Sequence, residues 1–513
     1  MSSSTLDLLW PSYRISAPQV VLVCCLSTIA VCGALLIRSR RAGLSHIRGP
    51  FLARYTDAWS LWLAWTVKWR DNPSSFWRTL QAEYGSVVRT GPRSVTVLDP
   101  NAVPIIYGVR AKLNKGPAYI PFRQSGVTTS LLSIPDEHTH SKYRKLVSNA
   151  YSMSSIKGYE PYVGQMVARF VEVCDQYAIS KEPMDLSRWC HYYCFDVIAI
   201  LTLGAPIGCL DGQDSFGLIQ KIKSFRGYAS LVSQMPWLHK IFQDNPFLRR
   251  VKPSPFMGVV RTTVQQRLQS HSVGDTARPD LLSHFVASHN SYPDLMTDHQ
   301  VTISASGNFI AGGLSPASTF NELCYYLSTH PASQDRMFAE LQQANCSFPA
   351  AYDEVKHLPY LEGVIREAYR LHSSASTNLQ RATGPAGLLL PDGTRLPGSV
   401  YAGCPAGTIN RDTTIFGPDA EDYNPERWMK AESETDDCYE ERRKLMERTE
   451  LSFGQGSRTC IGKNIVALEM FKVVASLVGQ FKFELVGNPR RSHVSVMIRR
   501  RKTPHKYLFS DRL

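Results

Sequence analysis

Phe453-Gly454-Gln455-Gly456-Ser457-Arg458-Thr459-Cys460-Ile461-Gly462 is the stretch on which the reading of this chain turns. It is a glycine-rich turn that delivers one cysteine to the start of an apolar run, 461–480, which reads as a long helix. Glycines let the backbone lie close against a flat partner. A cysteine at the start of a helix gains from the positive end of the helix dipole, which favours the thiolate, the form that ligates metals. Backbone N–H groups of such a turn can point at the sulfur and hold its charge. Arg458, two residues upstream, can form a charge-assisted pair with an anionic group beside the thiolate. The plainer reading is a glycine-rich turn before a helix that buries an inert cysteine.

Around this loop lie 513 residues, 43% hydrophobic and 20% charged, enough for a large core. Length alone would allow roughly three domains. No internal repeat and no Gly/Ser or proline-rich linker divides the chain, so one large domain, 46–513, follows an N-terminal segment, 1–45. Apolar residues recur at three- and four-residue spacing through most of 136–380, which predicts helices. Residues 86–98 predict a hairpin turned by Gly91-Pro92, and 386–404 a second short-strand region with a turn at Pro391-Asp392-Gly393. Strands at 482–486 and 493–499 close the chain. The expected class is mainly α with minor β.

Val20 to Ile37 carries no charge and would form a helix about 27 Å long, close to the thickness of a bilayer's hydrocarbon core. Arg38, Arg40 and Arg41 follow it, so the positive-inside rule leaves the body in the cytosol and the Asn345-Cys346-Ser347 sequon unglycosylated. His46 to Phe51 reads as a hinge. Trp59, Trp62, Trp65 and Trp69 follow at helical spacing, which fits a helix on the membrane surface and equally one facing the core. The net charge of +13 is scattered apart from 38–41 and 499–502, and no aromatic residues interleave with those runs. That favours an anionic membrane or an acidic protein partner over nucleic acid. The twelve cysteines include no CxxC pair. Cys190, His191 and Cys194 form a weak metal pattern better read as core, and the whole fits a reducing compartment.

The cysteine loop matches, at every fixed position, the Phe-Gly-x-Gly-x-Arg-x-Cys-x-Gly haem-binding loop of the cytochrome P-450 superfamily, which this chain resembles over about 50–505. Glu367-Ala368-Tyr369-Arg370, then Pro425-Glu426-Arg427-Trp428, follow in the family's order. The resemblance implies the family's triangular prism fold behind a transmembrane helix. It implies haem b with Cys460 as axial thiolate, Phe453 and Arg458 flanking it, and a structural brace of Glu367, Arg370 and Arg427. His140-Ser141-Lys142-Tyr143-Arg144 stands where the family often has Trp-x-x-x-Arg, so His140 and Arg144 become propionate contacts, as does Arg381. The implied activity is oxygen insertion into a small organic substrate. Electrons would come from an NADPH-cytochrome reductase at the endoplasmic reticulum membrane, since no flavin or nicotinamide motif is present. Phe416-Gly417-Pro418-Asp419-Ala420 before the Arg427 motif resembles fungal microsomal members, many of them in secondary metabolism.

One segment departs from the family. Where the family places Ala/Gly-Gly-x-Asp/Glu-Thr-Thr over the haem, this chain has Ala311-Gly312-Gly313-Leu314-Ser315-Pro316. The small residues would give oxygen and substrate room. Leu314 replaces the acid, and Pro316 the second hydroxyl. Proline lacks the N–H that would bond the Gly312 carbonyl, so a broken turn is expected there, with that carbonyl free for water. A proton relay would then run through Ser315 and water, unless Ser315 merely caps the turn. A dehydratase, an isomerase, a peroxide-driven enzyme or a non-catalytic haem protein are the alternatives. Substrate contacts are expected from 115–135, Phe309, Ile310 and 373–380, whose polarity suggests a substrate with several oxygens.

Overall fold

The computed structural model describes residues 17–67, 73–123, 130–214, 216–242, 255–269, 280–373, 378–487 and 494–501. Trp69, 124–129 and 374–377 of the two expected substrate-facing stretches, and Lys502 of the second basic run lie outside these residues.

The core is helical. Asp298–Thr329, 32 residues long and capped by the Thr297 hydroxyl on the Gln300 N–H, packs along Leu186–Leu203. Its glycines set that packing. A Cβ on Gly313 would lie 2.2 Å from the Phe195 ring, and one on Gly312 2.8 Å from Ile198. The smallness of Gly312 and Gly313 thus lets two helices approach, while Ala311 stays exposed. The expected broken turn at Pro316 is corrected, because the helix runs through it. Gly313, Leu314, Ala317 and Phe320 are buried on both sides of the proline, and their packing outweighs an interior proline's cost of about 3 kcal/mol.

Lys463–Gln480 forms the helix that follows the cysteine loop, packed on Met153–Ser180. Pro359–Leu371 carries the expected brace, with Glu367 and Arg370 wholly buried. The Arg370 guanidinium meets the Glu367 carboxylate twice, at 2.8 and 2.6 Å, and donates to the Asn410, Ala420 and Asp422 carbonyls. Arg427 reaches Glu367 at 3.4 Å, and the Trp428 and Asn424 N–H groups donate to it at 2.9 and 3.1 Å. Every lone pair of the buried carboxylate thus has a donor, the condition for tolerating such a charge.

The β portion is small. The hairpin Val87–Arg89/Ser94–Val97 forms as expected, and its second strand runs parallel to Tyr401–Gly403. Arg381–Ala382 and Asn114–Lys115 complete a five-stranded sheet in which Lys115 stands opposite Arg381. Phe481–Leu485 and Ser495–Arg500 pair antiparallel beside Met184–Asp185.

Ala17–Arg41 is one helix, starting before and ending beyond the apolar run, and long and apolar enough to cross a membrane. Its end is tied to the body. Arg38 pairs with Asp57 at 3.1 Å, and the buried Arg89 donates to the Ser39 and Leu44 carbonyls at 3.2 Å. In the helix Ala58–Val67, Trp59 is buried with Ala53, Leu63 and Leu80, while Trp62 and Trp65 are exposed. The helix thus has a core face and an open aromatic face. Cys190 and Cys194 are buried, the His191 ring is held by the Ser187 carbonyl, and among the described residues no group of three metal-binding side chains occurs.

Candidate active site

Gly454 and Gly456 take φ of +67° and +65°, left-handed values that favour glycine. A Cβ on Gly456 would fall 1.9 Å from the Tyr107 carbonyl oxygen. The turn closes through the Cys460 N–H on the Phe453 carbonyl at 2.8 Å. Cys460 is open to solvent. Even so, burial raises its thiol pKa, against the opposing pull of the Gly462 and Lys463 N–H groups and of the Arg144 and Lys463 charges. A side chain that is accessible yet surrounded by protein borders an internal cavity. Its neighbours are those that stabilise a thiolate once a cation meets the sulfur. Phe453 stacks obliquely on Tyr369, with ring centroids 4.9 Å apart.

Four separate segments of the sequence bring cations to this place. Arg144 sits on Glu137–Val147 and donates to the Thr459 carbonyl at 2.8 Å. Arg458 pairs with Glu137 and donates to the Ile134 and Pro135 carbonyls at 2.7 and 2.9 Å. Arg381, from the sheet, donates to the Tyr119 hydroxyl at 3.2 Å and lies over the Tyr107 ring. Lys115 is buried beside it, and its ammonium donates to the Leu132 carbonyl. Burial, then Arg381 and Arg458, push the Lys115 pKa well down. His140 is buried with Nδ1 unpartnered. Its pKa is held at about 3 by burial first, then by Arg458, Lys115, Arg144 and Arg381, so the ring is neutral.

Four cations gathered around Lys115 and His140, whose pKa values they lower, with Glu137 the one carboxylate found on them among the described residues, call for an anionic partner. The orphaned His140 nitrogen calls for a hydrogen-bond partner. Haem fits both needs, since its propionates match the cations and its iron the sulfur.

Across the site runs the long helix Asp298–Thr329. Ala311 and Ser315 are exposed although they lie mid-helix, and Asn308 continues the same face toward the N-terminus. The Tyr151 hydroxyl donates to Asn308 Oδ1 on this face at 2.7 Å. Leu314 is buried in the core, turned away from that face. Phe309, expected to face substrate, is instead 1% exposed and packs edge-on against Phe256, with centroids 4.6 Å apart. Its place on the helix points it at the neighbour Pro255–Gln269.

The profile described as cytochrome P450 matches residues 56–509, and the chain belongs to that family. It is a haem-dependent monooxygenase, an oxidoreductase with a cysteine thiolate as axial ligand, an organic substrate and a redox partner. A cytochrome P450 monooxygenase of Aspergillus flavus is 32% identical over 87% of this chain and 89% of its own length. The monooxygenase pkfB of Emericella nidulans is 32% identical over 91% and 92%, and vrtE of Penicillium aethiopicum 29% over 84% and 83%.

Tyr151 and Asn308 escaped the sequence reading, and Lys115 and Tyr119 entered it only as part of the expected substrate-facing stretch 115–135. The elements that carry Lys115 and Tyr119 are too short to show a periodicity, and only the strand register places Lys115 beside Arg381. For Asn308 the signal was present, since it lies one helical turn before Ala311 and Gly312.

Proposed function

We propose that Cys460 is the thiolate that binds the haem iron, and that Arg144, Arg381, Arg458 and neutral His140 hold the propionates. The observation that carries this is the convergence of one accessible cysteine with four mutually repelling cations on the same side of the fold. Haem supplies dioxygen binding and cleavage when bound. Phe453 packs beside the thiolate and limits water there, and the Gly462 and Lys463 N–H groups moderate its charge. Ser315, exposed on the opposite helix, passes protons with water, which the Gly312 carbonyl orients because Pro316 has no N–H for it. The buried position of Leu314 supports this reading, because an acid there would lie in the core.

Residues 1–45 act as a single-pass anchor in the endoplasmic reticulum membrane, and 46–513 as a cytosolic catalytic domain. Electrons come from an NADPH-cytochrome reductase docked on the basic face beside the cysteine loop. The exposed Trp62 and Trp65 meet membrane lipid. Its fungal relatives support a small organic substrate of secondary metabolism, and the polar stretch 373–380 supports one with several oxygens.

The test is spectroscopic, then chemical. The reduced CO complex of the wild type should show a thiolate-type Soret band, and Cys460→Ser should lose it while keeping the far-ultraviolet helical signal. In a reconstituted system, product should require the reductase and NADPH, with Ser315→Ala forming less product per NADPH consumed. Turnover without reductase would establish the dehydratase, isomerase or peroxide reading instead.

A further inference from the structure

Arg226 has no role in the site so far described. It lies on the helix Leu218–Val232, and its Nη1 donates to Ser318 Oγ at 3.1 Å. Ser318 follows Ala311 and Ser315 at helical spacing, so it belongs to the same open face of Asp298–Thr329. The preceding residue, Phe225, packs edge-on against Phe122 with centroids 6.1 Å apart. Phe122 ends the segment Pro117–Phe122, whose Tyr119 holds Arg381. The helix bearing Arg226 is thus fixed both against the segment that holds Arg381 and against the helix that exposes Ser315.

The state of the guanidinium is unusual. Arg226 is accessible, as Cys460 is, and burial lowers its pKa with no acidic group opposing the fall. Among the described residues it has no ion pair, whereas Arg458 pairs with Glu137 and Arg144 has the same carboxylate nearby. A desolvated guanidinium with one serine hydroxyl as its partner retains unused donors in a fixed fork. A second unsatisfied donor lies close in sequence to the same ring contact, the buried Arg123 Nε, directly after Phe122.

We infer that Arg226, with the Ser318 hydroxyl beside it, is the anchor for a carboxylate on the substrate, so the enzyme oxidises an organic acid. This rests on the haem-monooxygenase reading of the site and sharpens its substrate class. A carboxylate held there would orient the rest of the molecule along the Ala311–Ser315 face. The acid's charge would contribute most, because it meets a cation already stripped of water.

The test needs no knowledge of the natural substrate. A series of ω-(imidazol-1-yl)alkanoic acids presents an imidazole to ferric haem and a carboxylate at a set distance. Each acid is titrated against its methyl ester on the haem-loaded full chain, with the red shift of the Soret band as readout. At the chain length that spans the gap, the acid should bind about tenfold tighter or more than its ester, the effect of one hydrogen bond to a charged group. Arg226→Met should abolish that preference, and Arg226→Lys should retain part of it. Plain 1-alkylimidazoles should bind wild type and variants alike. Acid and ester binding equally at every length in the wild type would overturn the proposal even if the variants fail to fold. A preference that survives in Arg226→Met would overturn it too. Loss of the thiolate-type CO band would count against the Cys460 site instead, so the two failures are distinguishable.

Discussion

At the scale of single residues, Glu469 is the most telling group outside the site. It is fully enclosed on the helix Lys463–Gln480, with Oε1 unpartnered and Cys194 as its side-chain partner. Burial raises its pKa from an ordinary 4.5 to about 8, against a smaller lowering by Cys194. The folded protein therefore keeps a proton that the unfolded chain releases. Between those two values the native state binds more protons, so stability falls as pH rises from about 4.5 to about 8 and is flat beyond. Glu469→Gln should remove this slope. Its unfolding midpoint, measured by circular dichroism at about pH 5 and about pH 8, should change less than that of the wild type. Equal slopes would mean that Glu469 is ionised in the native state. The role of this residue was illegible beforehand, because a lone Glu in an apolar helix shows neither its burial nor its missing partner. Cys460 was legible, because its neighbours in sequence are also its neighbours in space.

At the scale of elements, the brace joins the helix Pro359–Leu371 to the Pro425–Trp428 turn through one carboxylate. Glu367→Ala would leave Arg370 and Arg427 facing each other across a buried gap, at a cost of about 3–5 kcal/mol. The variant should be insoluble or fail to load haem, whereas a surface control such as Glu440→Ala should behave as wild type. Absorbance in the Soret region per mole of purified protein measures this, and a soluble, haem-replete Glu367→Ala protein would sink the structural assignment. Here the sequence was readable in part. Spacing put Glu367 and Arg370 on one helical turn, and motif order brought in Arg427. The three carbonyls that saturate Arg370 come from loops no spacing rule would select.

At the scale of the whole molecule, the anchor helix and the body meet through Arg38 on Asp57 and Arg89 on Ser39 and Leu44. Removing residues 1–37 would delete the apolar stretch and keep the Ser39 and Leu44 contacts of Arg89. The truncated protein should leave the membrane pellet on alkaline extraction and retain its CO spectrum, while the full chain stays in the pellet. If the truncated protein still requires detergent, the open Trp62/Trp65 face is the main membrane contact and the anchor a minor one.

The sequence by itself determined what depends on near neighbours. The glycine turn, the cysteine it presents, the apolar helix long enough for a bilayer and the hairpin at 86–98 all follow from local spacing and from the conformations that Gly and Pro permit. Tertiary structure alone decided which way each side of an element faces. Gly312 packs against Ile198 and Gly313 against Phe195, Leu314 and Phe309 point into the core, and the helix continues through Pro316. It also placed Lys115 beside Arg381 and Arg226 against Ser318. The reason is physical: rotation of a helix about its axis and the register of a strand are set by the surfaces they bury, and those surfaces belong to residues remote in the sequence. So the cysteine proposed as the thiolate could be read from ten consecutive letters, while the cations gathered near it could be assembled only by the fold.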